Sequence, residues 1–490
     1  MSPPQSVHPR ASERWTLVLA SIASLMVALD VLVVSTALGT IRQHLGASID
    51  ELEWTVNAYS LSFAVLLITA SALGDRYGRR RWFAGGLGLF VLASALCALA
   101  PTAGLLIAAR ALQGAAAAII APLSLSLLSA AVPRERRGAA LGIYGGITGL
   151  AVLGGPVLGG AVTQGLAWEF VFWINVPIGL VAIGLVLTRL QESHGPRTRL
   201  DGRGLVLITA AAFGIVWGLI RANRVGWGSA ETVIALGGGV ILAVAFVLSE
   251  LRTAQPMLPM RLFHSRSFSA GAAVNALQAG SLFGGVFFMA QFQQVTLHQG
   301  PLAAGVRLLP WTGTVFVVAP IAGAMIAGVG ERRLVTLGLT LHGAGMLWIA
   351  LVARAGMSYD ELVAPMVISG VGLSTAIPAA QNAMVSAVGA SDVGHASGVL
   401  TMMRQLGAVL GIAVIVAVFV GAGGYASARA FSAGFAPAIG VSAALGFAAA
   451  LAGLVLPARG ERAATNADAS TTDDPWNSRA AVPATAEMAP

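Results

Sequence analysis

Long apolar stretches recur along the whole chain, and they constrain its fold more than any other feature. An apolar segment of about 20 residues crosses the ~30 Å hydrocarbon layer of a membrane as a helix. The sequence contains fourteen such stretches, at residues 15–39, 54–74, 82–100, 104–131, 138–163, 168–189, 204–222, 230–250, 268–290, 303–329, 334–353, 362–388, 396–420 and 433–456. Strands of a membrane β-barrel would instead be alternating segments of about 10 residues. The sequence therefore predicts an all-α polytopic membrane protein with fourteen transmembrane helices.

The composition of the chain excludes several classes of soluble protein. Of its 490 residues, 56% are hydrophobic and 10% are charged, and the mean hydropathy is +0.80. Soluble globular proteins carry roughly 25% charged residues, so most of this surface cannot face water. A soluble enzyme, a nucleic-acid-binding module and a disordered scaffold are therefore excluded. The single cysteine, Cys97, excludes a disulfide framework, and the scattered histidines predict no metal site.

The positions of the basic residues predict how the chain crosses the membrane. All 29 basic side chains are arginines, because the sequence contains no lysine. With both termini cytoplasmic, 21 arginines fall in inside segments, five fall in outside loops, and Arg110, Arg307 and Arg404 lie within apolar stretches. Cytoplasmic loops of membrane proteins are enriched in basic residues. We therefore expect an even number of spans, cytoplasmic termini, and a location in the cell (plasma or inner) membrane.

An internal repeat indicates a transporter built from two halves. A Gly- and Arg-rich segment, Leu73 to Arg81, follows the second apolar stretch, and a degenerate copy, Ile326 to Arg333, follows the tenth. If the seventh and eighth stretches are an insertion, both segments follow the second helix of a six-helix half. The predicted units are an N-terminal cytoplasmic tail (1–14), a six-helix bundle (15–190), a cytoplasmic linker (191–203), two inserted helices (204–250), a second cytoplasmic linker (251–267), a second six-helix bundle (268–456) and a disordered cytoplasmic tail (457–490).

Asp30 is the one carboxylate deep within an apolar stretch. Charged groups at such a depth are costly and are functional by default. At 1.5 Å per residue, Asp30 lies roughly 13 Å, and Arg110 roughly 9 Å, below the outer surface, so the two groups share a depth. Either the pair separates as a proton binds and leaves, or it is a permanent structural ion pair. One deep acid also suggests tolerance for neutral or cationic amphiphiles.

Other polar residues in the apolar stretches have two interpretations each. Arg404 either extends toward the cytoplasm or faces the substrate cavity, and Arg307 is expected to anchor its span at the membrane surface. Four amide side chains either line the cavity or bond neighbouring helices; they are Asn57 and Gln113 in the first bundle and Asn275 and Gln278 in the second.

The fifth apolar stretch combines glycine pairs with a proline. Gly155 and Gly159 have the four-residue spacing that lets helix backbones approach closely, and Gly160 follows directly. Pro156 removes one backbone hydrogen bond and can kink the helix. Such a helix suits either simple close packing or a moving interface between the two halves.

On these motifs the chain resembles the major facilitator superfamily, in particular its fourteen-span drug:proton antiporter branch, over nearly its whole length. The implied fold is two six-helix bundles plus two inserted helices. The segment after the second span is similar to the superfamily's inner-loop signature, whose charged residues latch the outward-closed arrangement. The resemblance assigns this inner gate to Asp75, Arg76, Gly78, Arg79 and Arg80, with Ser71 in place of the signature's first glycine.

Two further motifs carry the resemblance. Residues Arg110 to Gly114 are similar to a fourth-span motif whose arginine is tied to proton transfer. Residues Gly155 to Gly160 resemble the fifth-span antiporter motif, although Ala151 stands where a glycine is expected. Because that motif separates exporters from importers, the resemblance implies export and assigns the antiporter motif to Gly155, Pro156, Gly159 and Gly160.

The first, sixth and penultimate spans resemble the same branch with several departures. Leu29-Asp30 matches the first-span motif, but Leu32, Ser35 and Gly39 replace the usual threonine, asparagine and proline. Glu169 replaces the customary arginine at the start of the sixth span, and Gly398 to Gly407 is similar to the penultimate span.

The resemblance implies a proton-coupled secondary active exporter of drugs or small amphiphilic metabolites, with Asp30 and Arg110 coupling the proton. No nucleotide-binding Gly-x-x-x-x-Gly-Lys loop exists, so no ATPase is evident in the chain. The proton gradient is the expected energy source, with no cofactor, no metal, no nucleic-acid partner and no enzymatic activity. The alternatives are an importer of the same fold and a transport-inactive membrane sensor or scaffold.

Overall fold

The computed structural model describes residues 9–194, 201–253, 256, 258–388 and 392–458. Within these ranges the regular structure is helical, apart from turns and bends, and no strand is present. The helices are α1 (Pro9–Leu45), α2 (Ile49–Tyr77), α3 (Arg79–Ala98), α4 (Ala103–Ala131), α5 (Arg134–Gly165), α6 (Phe170–Trp173), α7 (Asn175–Arg189), α8 (Gly202–Val225), α9 (Ala230–Arg252), α10 (Arg266–Val295), α11 (Pro301–Val306), α12 (Leu309–Thr312), α13 (Thr314–Val329), α14 (Glu331–Val352), α15 (Asp360–Val385), α16 (Val393–Ala422) and α17 (Ala428–Gly453), with a 3-10 turn at Met260–His264.

The prediction of an all-α membrane protein is confirmed, whereas the count of fourteen spans is not. In the described part of the chain, twelve helices are long and apolar enough to cross a membrane. A thirteenth is counted if the bent segments Ile49–Leu67 and Thr69–Tyr77 of α2 form one span. A helix nevertheless covers each of the fourteen apolar stretches, including α5.

Several predicted segments differ in detail from the structure. Helix α1 already begins at Pro9, inside the segment predicted as a tail, and the linker at 251–267 contains the 3-10 turn. The sixth stretch is divided into α6 and α7, and the tenth into α11, α12 and α13. Residues 1–8 of the N-terminal tail, 195–200 of the first linker and 459–490 of the C-terminal tail lie outside the described residues.

Local sequence signals explain where several helices begin. Ser48 and Glu51 form a capping box at the start of α2, in which the Glu51 carboxylate accepts a hydrogen bond from the Ser48 amide at 2.8 Å. Asp201, Ser229 and Ser427 cap α8, α9 and α17 through side-chain oxygens that accept backbone N–H bonds. Polar capping residues therefore mark the starts of these helices, which the apolar composition alone does not locate.

The helices pack as two bundles, and one buried apolar cluster, which includes Phe172 of the first bundle and Phe288 of the second, runs across both. In the first bundle α1 packs on α5, α2 on α4, and α3 on α4 and α7. In the second, α10 packs on α16 and α17, and α14 packs on α15 and α17. The inserted helices α8 and α9 pack on each other, and α8 also contacts α2 and α16. In the contact with α2, the Trp54 ring lies against the rings of Phe213 and Trp217 of α8.

The two repeated Gly–Arg segments form equivalent turns. Gly78 ends α2 and precedes α3 with φ of 110°, and Gly330 ends α13 and precedes α14 with φ of 88°. Side chains rarely adopt such positive φ values, so both turns require glycine. The repeat recognised in the sequence therefore has a shared backbone geometry.

The contacts between the bundles define two ends of the molecule. We call the end where α1 begins and α17 ends the termini face, and the opposite end the far face. At the far face the Gln294 amide of α10 donates to the Thr36 carbonyl of α1 at 3.0 Å, and the Gln164 side chain of α5 accepts from the Leu302 amide of α11 at 3.1 Å. The bundles are thus held together at the far face.

An aromatic contact reinforces this closure. The Arg42 guanidinium of α1 lies 4.2 Å from the ring centroid of Tyr425, which connects α16 to α17. The Tyr425 hydroxyl donates a hydrogen bond to Gln291 of α10. Burial raises the pKa of Tyr425, and the Arg42 guanidinium opposes that increase, so the phenol is neutral at physiological pH.

Candidate functional site

Asp30 lies near the middle of α1, at the centre of a buried polar cluster. Its Oδ2 accepts a hydrogen bond from Arg110 Nη1 of α4, and the two side chains form an ion pair. Its Oδ1 accepts from Gln113 Nε2 at 2.8 Å and from Asn175 Nδ2 of α7 at 3.1 Å. The structure therefore brings together the two groups that the sequence placed at a shared depth.

Arg110 makes two further hydrogen bonds. Its Nε donates to the Thr55 carbonyl of α2 at 3.1 Å, and its Nη1 also donates to Gln113 Oε1 at 2.7 Å. The guanidinium carbon lies 4.3 Å from the ring centroid of Tyr59, a cation–π distance. Arg110 thus ties α1, α2 and α4 together through one cation.

The cluster is closed to solvent by the surrounding helices. Asp30, Arg110, Gln113 and Asn175 expose 2%, 1%, 0% and 4% of their surface. Ser94 of α3 accepts from Gln113 Nε2 at 2.8 Å, so the polar contacts continue to a fifth helix. Removing one partner of a buried ion pair typically costs about 3–5 kcal/mol. A proton that neutralises Asp30 must therefore displace Arg110 or recruit another anion to it.

Asn175 was missed by sequence reasoning, although the signal was present. It begins α7 directly after the break at Ile174, and its amide reaches the Asp30 carboxylate from the sixth predicted span. A polar residue inside an apolar stretch, next to the helix break, was the available cue. Gln113, for which the sequence left a cavity role and a bond between helices open, bridges Asp30, Arg110 and Ser94.

The predicted inner gate lies at the termini face, in the turn between α2 and α3. Arg79 Nε donates to Asp75 Oδ1 at 2.7 Å, one helical turn away. Arg76 is exposed and lies 5.5 Å from the Tyr77 ring, and the Arg80 side chain donates to the Leu190 carbonyl at 3.2 Å. In this conformation the gate residues contact their own bundle.

Glu192 was also missed, and it binds this turn from the segment after α7. Its carboxylate accepts hydrogen bonds from the backbone amides of Arg80 at 2.8 Å and Arg81 at 3.3 Å, at the N-terminus of α3. A Cβ on Gly78 would lie 2.9 Å from the Glu192 carboxyl carbon, so this carboxylate would have to shift, and the φ of 110° at Gly78 separately favours glycine. A carboxylate at a helix N-terminus is favourable because the exposed amides and the helix dipole are positive there.

The glycine–proline motif of α5 packs between α1 and the second bundle. A Cβ on Gly155 would lie 2.6 Å from Leu32 Cβ, and one on Gly159 would meet the Thr36 hydroxyl of α1. On the other side, a Cβ on Gly160 would lie 2.7 Å from Leu302 Cα, and one on Gly305 of α11 would meet the Pro156 carbonyl. The motif therefore joins the helix that carries Asp30 to the far-face contact.

The other candidate cavity residues differ in exposure. Asn57 is buried and donates to Glu53 at 3.3 Å, while Asn275 is buried and donates to the carbonyls of Gly271 and Ala380. Gln278 is buried in α10. Because Ala380 belongs to α15, Asn275 of α10 forms a hydrogen bond between two helices, which is one of the two interpretations given above. Arg404 remains partly exposed.

His342 belongs to a second buried polar cluster, in the second bundle. The sequence left it without partners, but its Nε2 lies 2.8 Å from Ser281 Oγ of α10 and its Nδ1 lies 2.8 Å from Ser369 Oγ of α15. These partners come from helices that the sequence cannot bring together. Among the described residues, no group of three or more His, Cys, Asp or Glu side chains could hold a metal ion.

Comparisons with known proteins find one matching family model and several relatives that are named for drug resistance or export. The family model described as "Major Facilitator Superfamily" matches residues 20–306. The tetracenomycin C resistance and export protein of Streptomyces glaucescens is 35% identical over 404 residues, which cover 82% of this chain and 74% of that protein. The multidrug resistance protein Stp of Mycobacterium tuberculosis (strain CDC 1551 / Oshkosh) is 32% identical, with coverage of 82% and 74%. The cephamycin export protein CmcT of Amycolatopsis lactamdurans is 33% identical, with coverage of 82% and 84%.

Solved structures share the fold at low sequence identity. The POT family transporter PepTSo matches with a TM-score of 0.67 at 13% identity, covering 96% of this chain and 99% of that chain. A peptide transporter POT in complex with sulfate matches with a TM-score of 0.65 at 16% identity, covering 94% and 96%. At these identities the likeness concerns the arrangement of helices.

Proposed function

The chain belongs to the Major Facilitator Superfamily, and on that premise we propose that it exports antibiotics or other small amphiphilic molecules in exchange for protons. Membership makes the protein a transporter and not an enzyme. The names of the relatives from Streptomyces, Mycobacterium and Amycolatopsis, which describe resistance and export, support the outward direction. The lipid bilayer, the transported molecule and protons are the proposed partners, with the proton gradient as the energy source and without an ATPase in the chain.

The observation that carries the proposal is the buried contact between Asp30 and Arg110. Both oxygens of Asp30 accept hydrogen bonds, which fits an ionised carboxylate. A carboxylate that accepts a proton loses its attraction for Arg110, and the buried guanidinium then lacks a counter-charge. Protonation of Asp30 is therefore coupled to a movement of α1 relative to α4.

The glycine–proline motif offers a route from this movement to the far face. Leu32 and Thr36 lie two and six residues beyond Asp30 on α1, and both contact glycines of α5. The same part of α5 contacts α11 of the second bundle through Gly160 and Pro156. A shift of α1 thus disturbs the packing that keeps the far face closed, and alternating access follows if the bundles then separate there.

We assign the termini face to the cytoplasm and the far face to the outside. In the conformation described, the bundles are joined at the far face, and Asp30 is paired with Arg110. This arrangement corresponds to an inward-facing, proton-released state that awaits substrate. The inner gate residues Asp75, Arg76 and Arg79 would then engage the second bundle when the termini face closes.

Everted membrane vesicles test the exchange directly. Vesicles containing the protein are given an acidic interior, and tetracenomycin C or a cephamycin is added outside while a fluorescent dye reports the pH gradient. An antiporter carries the compound inward and protons outward, so the addition dissipates the gradient in a saturable manner. Vesicles without the protein serve as the control. A gradient that persists with both compounds, while they accumulate inside, contradicts antiport; a persistent gradient without accumulation favours an importer or a transport-inactive sensor.

A further inference from the structure

Arg404 is a membrane-embedded cation whose guanidinium has no partner among the described residues. It lies on α16, eleven residues after Val393 at the termini face, which is about 16 Å at 1.5 Å per residue. Its side chain is partly exposed, and neither a hydrogen bond nor an ion pair connects it to the described part of the chain. By contrast, the buried Arg110 is hydrogen-bonded to Asp30, Gln113 and the Thr55 carbonyl.

The contacts of α16 show which way Arg404 points. Gly407, three residues later, packs on Ala276 of α10, and Val409, five residues later, is buried in the cluster that includes Leu61 of α2. At 100° per residue, Arg404 lies about 60° from Gly407 and about 140° from Val409, on the arc between them. Gly411, seven residues after Arg404 and about 20° from it, packs on Gly280 of α10, so Arg404 lies on the side of α16 that is directed toward α10.

Polar groups accompany Arg404 on this arc. Thr401, one turn earlier, donates its hydroxyl to the Ser397 carbonyl at 3.1 Å, and Gln405 follows Arg404 directly. The opposite arc carries Leu406 and Leu410, which are packed against apolar residues. Thr401 and Gln405 thus place polar groups beside Arg404, while Leu400, one turn earlier on the same side, packs in an apolar cluster.

A count of the deep charges shows that the chain itself does not neutralise Arg404. The interiors of the fourteen apolar stretches contain a single carboxylate, Asp30, and its oxygens are already bonded to Arg110, Gln113 and Asn175. The nearest acid on α2, Asp75, lies ten residues after Val65 of the α2–α16 contact, about 15 Å along the helix, and its carboxylate is already paired with Arg79. One positive charge therefore remains at Arg404, at a cost of several kcal/mol unless it is hydrated or paired.

We propose that Arg404 is the anion-binding group of the transport cavity, and that the preferred substrates are amphiphilic organic anions carrying a carboxylate, sulfonate or similar group. This inference rests on the proposed export function and specifies its substrate class. It reverses the expectation from the sequence that one deep acid favours neutral or cationic amphiphiles, because the structure pairs that acid within the first bundle.

Arginine chemistry and the charge of the termini face fit this role. A guanidinium presents a planar fork of donors that binds carboxylates and sulfonates through two parallel hydrogen bonds. The termini face is rich in arginine, including Arg79, Arg80, Arg332 and Arg333 beside the two equivalent turns. Clustered positive charge raises the local concentration of anions near the entrance of a cleft.

Equilibrium binding to the purified full-length protein in lipid nanodiscs tests the inference without a proton gradient. The probes are an anilinonaphthalene sulfonate and its neutral sulfonamide analogue, which share the ring system and differ in charge. We expect the sulfonate to bind at least tenfold more tightly than the sulfonamide. Arg404→Gln should weaken sulfonate binding at least tenfold and leave sulfonamide binding unchanged, whereas Arg404→Lys should retain part of the preference because the charge remains.

The controls separate this inference from the proposed export function. Arg429→Gln makes the same substitution at an exposed arginine of α17 and should leave both affinities unchanged. Thermal unfolding of each variant shows whether it is folded, and Arg404→Lys provides the comparison if Arg404→Gln is not. Equal affinity for the two probes, absence of sulfonate binding, or equal weakening of both probes in the Arg404 variants overturns the anion site. None of these outcomes depends on antiport, which the vesicle experiment measures separately.

Discussion

At the scale of single residues, the chemistry depends on how completely Asp30 is bonded. Its carboxylate accepts hydrogen bonds from Arg110 and Gln113 on α4 and from Asn175 on α7. Charge-assisted hydrogen bonds of this kind are stronger than neutral ones, particularly where water is excluded. The ionised form is therefore specifically stabilised by this conformation, and a protonated Asp30 fits a different arrangement of α1 and α4.

Asp30→Asn should separate substrate binding from proton coupling. Asparagine has nearly the same shape as aspartate but carries no charge, so it resembles the protonated acid and leaves Arg110 without its counter-ion. We expect export driven by an imposed proton gradient in proteoliposomes to fall at least tenfold, while equilibrium binding of the same compound changes by less than about threefold. Asp360→Asn, at an exposed helix start on the far face, is the matched control and should alter neither quantity. Coupled export that survives in Asp30→Asn would show that Asp30 is not the proton carrier.

The residues of this cluster differ in how far the sequence could predict them. Asp30 and Arg110 could be paired because charges are rare in apolar stretches and helix geometry gives their depth. Ser94 could not, because uncharged polar residues occur at many lipid, packing and cavity positions, and for Asn175 the one cue was its place beside a helix break. Glu192 could not be linked to the α2–α3 turn either, since it is 111 residues from Arg81 and the connection depends on where α7 ends. The assigned roles in proton coupling and gating stay predictions.

At the scale of helices, the glycines of α5 matter because they allow three helices to meet. Gly155 and Gly159 allow α1 to approach, and Gly160 allows α11 to approach from the second bundle. Interfaces between membrane helices favour such small residues because the close approach increases dispersion contacts. The helix that carries Asp30 and the far-face contact are therefore held by the same short segment.

Gly160→Ala should shift the protein toward a conformation in which the far face is open. The added Cβ would lie 2.7 Å from Leu302 Cα and would also meet the Pro301 carbonyl, both backbone atoms that cannot turn aside. Overpacking of this kind costs about 1–3 kcal/mol, which changes a two-state population by roughly 5- to 150-fold. The reactivity of a cysteine introduced at Leu302 toward an impermeant maleimide added at the far face measures the shift, and we expect it to increase.

Gly154→Ala is the matched control for this substitution. Its added Cβ would lie 3.7 Å from the Leu158 Cδ1 atom, an ordinary van der Waals distance, so cysteine reactivity should stay at the parent value. If Gly160→Ala and Gly154→Ala have the same reactivity, the contact between α5 and α11 does not control the opening of the far face.

The sequence predicts well where helices occur, but it does not predict every position at which a helix begins or ends. Apolar length located a helix at each of the fourteen stretches, because a membrane-spanning segment must satisfy its backbone hydrogen bonds internally. It did not show that the tenth stretch divides into α11, α12 and α13, where Pro301 and Pro310 occupy the first turns of short helices. Proline is tolerated at a helix start as well as in a kinked helix, so the sequence alone leaves both outcomes open.

At the scale of the whole molecule, the closed far face and the partly exposed Arg404 describe one state of a transport cycle. The contacts that cross between the bundles at the far face include Gln294 with Thr36 and Arg42 with Tyr425. A membrane transporter that alternates between its two sides must break these contacts in every cycle. The internal repeat made two such halves predictable, whereas the end at which they are joined depends on contacts between residues more than 130 positions apart.

Locking the far face should therefore stop export without preventing binding from the termini face. Gln164 and Leu302 are in hydrogen-bond contact across the two bundles, so cysteines at both positions can be joined by a short bifunctional thiol reagent. The native Cys97 is buried and remains unreacted. We expect the cross-linked protein to lose export in proteoliposomes while it keeps the affinity of the parent for the sulfonate probe, and a cleavable reagent should restore export after reduction. Either single-cysteine variant treated in the same way should export normally. Undiminished export after complete cross-linking would mean that α5 and α11 stay together throughout the cycle, and the far-face route would then have to open elsewhere between the bundles.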